Sequence, residues 1–175
     1  MGYDISKSAI LSVKVPDREI KLIPLKEAKV VCAVAVLQSE KDAKSITVLS
    51  DYASKLGFEL HTLLILKEKE CLPACCLKEG YSLLSYGADY NNKEITNCST
   101  VDRFCKIPAD ILFNLSYNLE YVVEAVMARS KARLKVSRNH SGYQGGDINV
   151  KVSILSKGTL TDKLIDNLEV LTKNL

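Results

Sequence analysis

The segment VVCAVAVL, from Val30 to Leu37, constrains the fold of this chain more than any other feature. Every residue in it is apolar and many are β-branched, which is typical of a strand buried on both faces. The segment is far shorter than the roughly 20 residues that cross a bilayer. A strand of this kind needs helices over both of its faces, so the segment predicts the centre of a parallel sheet. Because it is too short to cross a bilayer, we also expect no membrane contact.

Residues 39–57 follow this strand with the periodicity of a helix. Ser39 and Asp42 form a capping pair, and Gly57 supplies a left-handed stop. The apolar positions recur at spacings of three and four residues, at Ile46, Leu49, Ala53 and Leu56. Since FELHTLLILK, residues 58–67, is a second strand, residues 29–67 predict one βαβ unit.

The same alternation continues to the end of the chain. Further strands are predicted in YSLLSYGADY (81–90) and DILFNLSY (110–117). Helices are predicted in TVDRFCKI, capped by Ser99 and Asp102, after an Asn118 cap, and after a Thr159–Asp162 cap. This pattern predicts an α/β fold, a three-layer Rossmann-like domain with a mostly parallel sheet.

Strands with only one apolar face are predicted at both ends of the chain. AILSVKV and EIKLIPL flank a Pro16–Asp17 turn and predict an N-terminal β-hairpin. RLKVSRN (133–139) and INVKVSIL (148–155) also alternate, so we expect them at the margin of the sheet as antiparallel edge strands. We therefore predict a hairpin appendage at residues 1–28 and a single Rossmann-like domain at residues 29–175.

Composition and cysteine usage bound the class of protein. The chain has 175 residues, 47% of them hydrophobic, and a net charge of +3, so overall charge does not select a polyanionic partner. Without a signal-peptide pattern at the N-terminus, we expect a cytoplasmic protein with reduced thiols. The cluster Cys71, Cys75 and Cys76 lacks the C-x2-C spacing of a structural zinc site, and we predict neither a metal nor a cofactor.

A ligand crevice in such a fold lies beyond the carboxyl ends of the strands, where the strand order reverses. If the first strand is central and the fourth is its neighbour, the crevice residues are Gln38, Ser39, Asn114, Ser116 and Asn118. Helix starts at Ser39 and Asn118 would suit a small anionic ligand. The same residues also serve as caps and loop residues in a protein with no ligand, and the sequence leaves both readings open.

Motifs of known catalytic and nucleotide sites are missing from the corresponding positions. QSEKDAKS follows the first strand and contains neither G-x-G-x-x-G nor a P-loop, and the chain contains no G-x-S-x-G elbow. Neither His61 nor His140 follows a strand end in the manner of a catalytic triad. We therefore expect a protein that binds or interacts rather than catalyses.

Basic residues concentrate in one segment, at Lys131, Arg133, Lys135 and Arg138. In strand geometry, Lys131, Arg133 and Lys135 fall on one face. Such a row could follow the phosphates of RNA, or it could keep an edge strand from pairing with another molecule. Both alternatives stay open, as does a homodimer through an edge strand.

The segment ADILFNLSYNLEYVVEAVMARSKARLKVSRN, with IPLKEAKVVCAVAVL upstream and the closing VKVSIL and helix, resembles an uncharacterised bacterial family of Bacteroidota type and unknown function. In that family an acidic or amide residue and a serine follow the fourth strand; here they are Asn114 and Ser116. More distantly, the region resembles the acceptor-side (N-terminal) half of heptosyltransferase-type glycosyltransferases. These resemblances imply a Rossmann-like fold and transfer no catalytic residue.

The sequence therefore favours a non-catalytic binding or interaction module on a Rossmann-like scaffold. A diverged protein that binds a nucleotide-sugar or another phosphate ligand in the crevice is the first alternative. An RNA- or ribosome-associated protein that uses the basic segment is the second.

Overall fold

The computed structural model describes residues 16–67, 80–91, 94–95, 98–118, 120–140, 145–153 and 157–175. Its strands are β1 (Val30–Leu37), β2 (Glu59–Leu66), β3 (Tyr81–Ser85), β4 (Ile111–Asn114), β5 (Leu134–Arg138) and β6 (Ile148–Val150). Its α-helices are α1 (Glu40–Leu56), α2 (Cys98–Cys105), α3 (Tyr121–Arg129) and α4 (Leu160–Thr172), and a 3-10 turn spans Leu25–Glu27. None of the helices in these ranges is long and apolar enough to cross a membrane.

The strands form one six-stranded sheet in the order β3-β2-β1-β4-β5-β6. Every neighbouring pair is parallel. The chain builds outward from β1 to β3, returns to place β4 on the other side of β1, and builds outward again. This is the strand order of the Rossmann fold, and the order reverses between β1 and β4. The predicted α/β class and the central position of the first strand are confirmed.

Side chains of β1 alternate between two separate cores. Val31, Ala33 and Ala35 belong to the core that contains apolar residues of α1 and α4, such as Leu49 and Leu164. The alternate residues of the strand, such as Val34, belong to the core on the opposite face, with residues of α2 and α3. Because both faces of β1 are covered, an all-apolar strand is the stable solution at this position.

Capping residues set the ends of α1 and α4 as the sequence predicts. Ser39 is the N-cap of α1, and Gly57 ends that helix with a φ of 79°, a left-handed conformation that favours glycine. Thr159 and Asp162 form a reciprocal capping box at the start of α4. The Ser39 cap and the α4 capping box satisfy backbone N–H groups that the first turn of a helix leaves without intrahelical partners.

The predicted N-terminal hairpin is not supported. Its first arm lies outside the described residues, and its second arm, residues 19–25, forms no strand and ends in the 3-10 turn that begins at Leu25. Ile23 and Leu25 are buried in the core with α1 and α4. The apolar residues of this arm therefore do not form one face of a strand, because Ile20 is exposed whereas Ile23 and Leu25 pack into the core. Arg18 holds the segment there through a hydrogen-bonded ion pair with Asp147.

The predicted antiparallel pairing of the last two strands is wrong. β6 does lie at the margin of the sheet, but it runs parallel to β5, with Val136 opposite Ile148. Asp147 fixes this start, since its carboxylate accepts the backbone N–H of Lys135 at 2.8 Å and its own N–H donates to the Lys135 carbonyl at 2.8 Å. Period-two alternation is the same for both directions of pairing, so the sequence pattern could not distinguish them.

Candidate functional site

A cavity of about 460 Å³ opens at the carboxyl ends of β1 and β4, where the strand order reverses. Its volume lies within the range of small-molecule pockets, roughly 300–1,000 Å³. Its lining comprises Val36, Gln38, Ser39, Lys41, Asp42, Tyr117, Asn118 and Arg138. We call this cavity the crevice.

Three of the five residues that the sequence predicts for the crevice do line it. Gln38 and Ser39 follow β1, and Asn118 follows β4. Asn118 Nδ2 donates a hydrogen bond to Gln38 Oε1 at 2.9 Å, so the two amides bridge the mouth of the crevice. Asn118 is not the helix cap that the sequence predicts, because α3 begins at Tyr121, three residues beyond it, with Glu120 as its N-cap. Leu115 still pairs with β1, because its N–H donates to the Val34 carbonyl at 2.8 Å. The chain therefore leaves the sheet after this residue, and the helix starts later than predicted.

The other two predicted residues, Asn114 and Ser116, lie beneath the crevice. Both are fully buried. Asn114 Nδ2 donates to Ser137 Oγ at 3.2 Å, and Asn114 Oδ1 accepts the Ser116 N–H at 3.0 Å. Ser116 Oγ accepts the Val36 N–H at 3.2 Å. These side chains therefore connect the carboxyl ends of β1, β4 and β5 by hydrogen bonds. We call this group the crevice floor.

The first turn of α1 contains an acidic side chain, Asp42, at the end of the helix that attracts anions. Asp42 is buried, and its Oδ2 atom accepts the Gln38 N–H at 3.0 Å and the Ser39 hydroxyl at 2.8 Å. The Asp42 carboxylate thus takes the place at the helix N-terminus that a bound anion would otherwise occupy. Any anion recognition in the crevice must come from other groups.

Two cationic side chains supply such groups, and both contact Tyr117. The Lys41 ammonium nitrogen lies 4.4 Å from the centre of the Tyr117 ring, and the Arg138 guanidinium carbon lies 5.9 Å from it. Both distances are within the range of a cation–π contact. Arg138 Nη1 also donates to the Tyr117 carbonyl at 3.0 Å. The tyrosine therefore holds two positive charges at the rim of one crevice.

Sequence reasoning missed Lys41 and Tyr117 and assigned Arg138 to a different site. Arg138 is the last residue of β5, so the parallel sheet brings it to the carboxyl edge beside the residues after β1 and β4. A signal was present, since residues just beyond strand ends face the crevice in a parallel sheet. Using it would have required the strand order, which periodicity does not give.

The predicted basic row is not a row on one exposed face. Lys135 is buried, and its Nζ donates to the Met127 carbonyl at 2.5 Å. Burial, followed by the nearby Arg18 charge, lowers the pKa of Lys135 to about 8, although Asp147 acts in the opposite direction. β5 is covered because β6 extends the sheet beyond it and α3 and α4 lie over it. One-sided alternation had suggested an open face.

The other members of that group lie at opposite edges of the sheet. Lys131 is exposed and lines a recess with Lys106 and Arg129 at the amino edge. Arg133 lies at the same edge, with Nη1 at 3.7 Å from a carboxylate oxygen of Asp110. Arg138 is at the carboxyl edge. Polyanion binding by these residues stays a prediction, without the continuous strip of charge that motivated it.

The part of the chain that the structure describes contains no cluster of metal-ligating side chains, and two of its cysteines are buried. No group of three or more His, Cys, Asp and Glu side chains that could hold a metal ion occurs there. Burial raises the pKa of the Cys32 and Cys105 thiols to about 12, which favours the unreactive thiol form. The cluster Cys71, Cys75 and Cys76 lies outside the described residues.

Comparison with known proteins gives one match. A protein-family model described as a family of unknown function (DUF6913) matches residues 14–171. No curated protein and no solved structure matches the chain.

Proposed function

The chain belongs to this family of unknown function, DUF6913, and from that premise we propose that it is a binding module whose crevice takes a small anionic molecule. The observation that carries the proposal is the placement of Lys41 and Arg138 around Tyr117 at the reversal of strand order. In open parallel sheets, that position is where ligands bind.

Charge in the crevice supports an anionic ligand. Asp42 is the acidic side chain in the lining, and its Oδ2 atom is already engaged by Gln38 and Ser39. Lys41 is exposed and Arg138 is partly exposed, and neither has an ion-pair partner among the described residues. The two cations therefore leave a positive potential at the crevice mouth, which raises the local concentration of anions.

The proposal is one of binding without catalysis. The acidic group in the lining accepts hydrogen bonds that hold the start of α1, which is a structural task. The distant resemblance to heptosyltransferase-type enzymes that the sequence suggests motivates testing sugar nucleotides as ligands. Bacterial origin and a cytoplasmic location belong to the same proposal; the free thiols of Cys32, Cys98 and Cys105 suit a reducing compartment.

A thermal-shift screen of charged and neutral small molecules tests the proposal. A ligand present at 100 times its dissociation constant should add about 2.7 kcal/mol to the free energy of unfolding. Asn118→Trp fills the mouth of the crevice and should abolish the shift. Asn167→Trp is the matched control, because Asn167 is likewise exposed but lies on α4, outside the crevice lining.

The outcomes separate clearly. A stabilising anionic compound whose effect persists with Asn167→Trp and disappears with Asn118→Trp supports binding in the crevice. Either no stabilising compound at all, or equal stabilisation of both variants, contradicts it.

A further inference from the structure

The hydrogen-bonding state of Arg138 indicates what kind of anion the crevice accepts. Its Nη1 atom donates to the Tyr117 carbonyl. Its Nε atom is buried and has no hydrogen-bond partner within the described part of the chain. A buried N–H group without an acceptor is destabilising. An acceptor supplied by a ligand would relieve that deficit.

The geometry of the guanidinium group makes this deficit specific. Nε–H and one Nη2–H point the same way and form the edge that binds two oxygens of a carboxylate or phosphate side by side. Nη1 is engaged with Tyr117, so this Nε–Nη2 edge is the donor pair that remains for a ligand. Arg138 therefore keeps an unused pair of donors on a side chain that lines the crevice.

Lys41 decides between the two common oxyanions. Its ammonium group and the Arg138 guanidinium lie 4.4 and 5.9 Å from the centre of the Tyr117 ring, and both side chains line the crevice, so one ligand there has both charges available to it. A carboxylate carries one negative charge, which the Arg138 guanidinium alone balances. A phosphate ester has three terminal oxygens and up to two negative charges, so it can engage Arg138 and Lys41 together.

Resting on the proposed small-molecule function of the crevice, we infer that the ligand is a phosphate ester. The Nε–Nη2 edge of Arg138 binds two of its oxygens, and Lys41 neutralises its remaining charge. A sugar phosphate or a nucleoside diphosphate has the required group and fits a cavity of about 460 Å³.

Calorimetric titration with glucose 6-phosphate, uridine diphosphate, inorganic phosphate and glucuronate tests the inference. Glucuronate presents a carboxylate on a sugar of similar size. We expect at least one of the two esters to bind, and to bind at least about tenfold more tightly than glucuronate, because the second negative charge of the ester gives it an additional charge-assisted contact with Lys41. Inorganic phosphate should compete with that ester, since it carries the recognised group.

Arg138→Lys keeps the charge but removes the two-point edge, so it should weaken ester binding at least about tenfold. Arg103→Lys is the matched control, because Arg103 is exposed on α2 and outside the crevice lining, and it should leave binding unchanged. Lys41→Gln changes an exposed side chain, so it keeps the test valid if Arg138→Lys fails to fold. It should weaken ester binding severalfold.

Three results would overturn the inference. They are failure of both esters to bind, glucuronate binding as tightly as the esters, and ester binding unchanged by both Arg138→Lys and Lys41→Gln. If another anion still binds in a manner abolished by Asn118→Trp, only the phosphate assignment fails. If no compound does, the proposed function fails with it.

Discussion

At the level of single residues, Lys135 carries an amine into the interior of the protein. It is 3% exposed, and its Nζ has a backbone carbonyl, that of Met127, as acceptor. Desolvation penalises the protonated form, and the free energy of unfolding must therefore depend on pH through this group. Its position in the sequence, among four basic residues, gave no sign of burial because periodicity shows which residues share a face and not what covers that face.

The direction of the pH effect follows from the lowered pKa. Between about pH 8 and 10.5, the unfolded chain binds a proton at Lys135 that the folded chain does not. The free energy of unfolding of the wild type, relative to Lys135→Met, should therefore rise with pH across this window, by up to about 3 kcal/mol. Urea unfolding followed by circular dichroism at several pH values measures the difference.

Comparing two proteins is necessary because the Cys32 and Cys105 thiols, whose pKa burial raises to about 12, change stability in the opposite direction above pH 9. Both proteins keep these thiols. Lys44→Met, at an exposed position on α1, controls for the loss of one positive charge. A difference that stays flat or falls between pH 8 and 10 would contradict the account of Lys135.

Asn114 and Asn118 have different roles although the sequence grouped them. Asn114→Ala removes buried hydrogen bonds to Ser137 and to the Ser116 N–H and should lower the free energy of unfolding by about 1–3 kcal/mol. Asn118→Ala, at an exposed position, should change it by less than about 0.5 kcal/mol. Chemical denaturation of the two variants measures both values. Equal losses would show that Asn114 does not hold the crevice floor.

At the level of elements, capping residues in the sequence predicted where α1 and α4 start, but the sequence pattern could not predict whether neighbouring strands pair parallel or antiparallel. A cap is read from residues three positions apart, so the information is local. The start of β6 is held by Asp147, which contacts Lys135 and also Arg18, 129 residues away in the sequence. Non-local contacts of this kind leave no periodic trace in the sequence.

The capping box of α4 gives a prediction at this scale. Thr159 Oγ1 donates to Asp162 Oδ2 at 2.7 Å and accepts the Asp162 N–H at 3.2 Å. Thr159→Ala should therefore lower the free energy of unfolding by about 1 kcal/mol. Thr47→Ala, an exposed change inside α1, should have little effect or stabilise slightly, because alanine is the better helix former. Thermal unfolding of both variants distinguishes the cap from the general effect of losing a threonine.

At the scale of the whole molecule, the strand order β3-β2-β1-β4-β5-β6 produces the candidate site. It brings Arg138, from the end of β5, to the same edge as Lys41, at the start of α1, and Tyr117, after β4. These residues are remote in sequence and share no motif. The sequence could predict the alternation of strands and helices and the edge where a ligand would bind, but not which charged side chains the topology would place there.

The central claim is that the crevice binds a phosphate ester through Arg138 and Lys41. Two-dimensional NMR of the isotope-labelled protein, titrated with the phosphate ester that binds most tightly, tests this claim most directly. The account predicts that shift changes concentrate on the backbone amides of Gln38, Ser39 and Asn118 and on the Arg138 Nε–H, which should move downfield as it gains an acceptor. Changes that concentrate instead around Lys131 and Arg133 at the amino edge, or an Arg138 Nε–H that does not move at saturation, would contradict it.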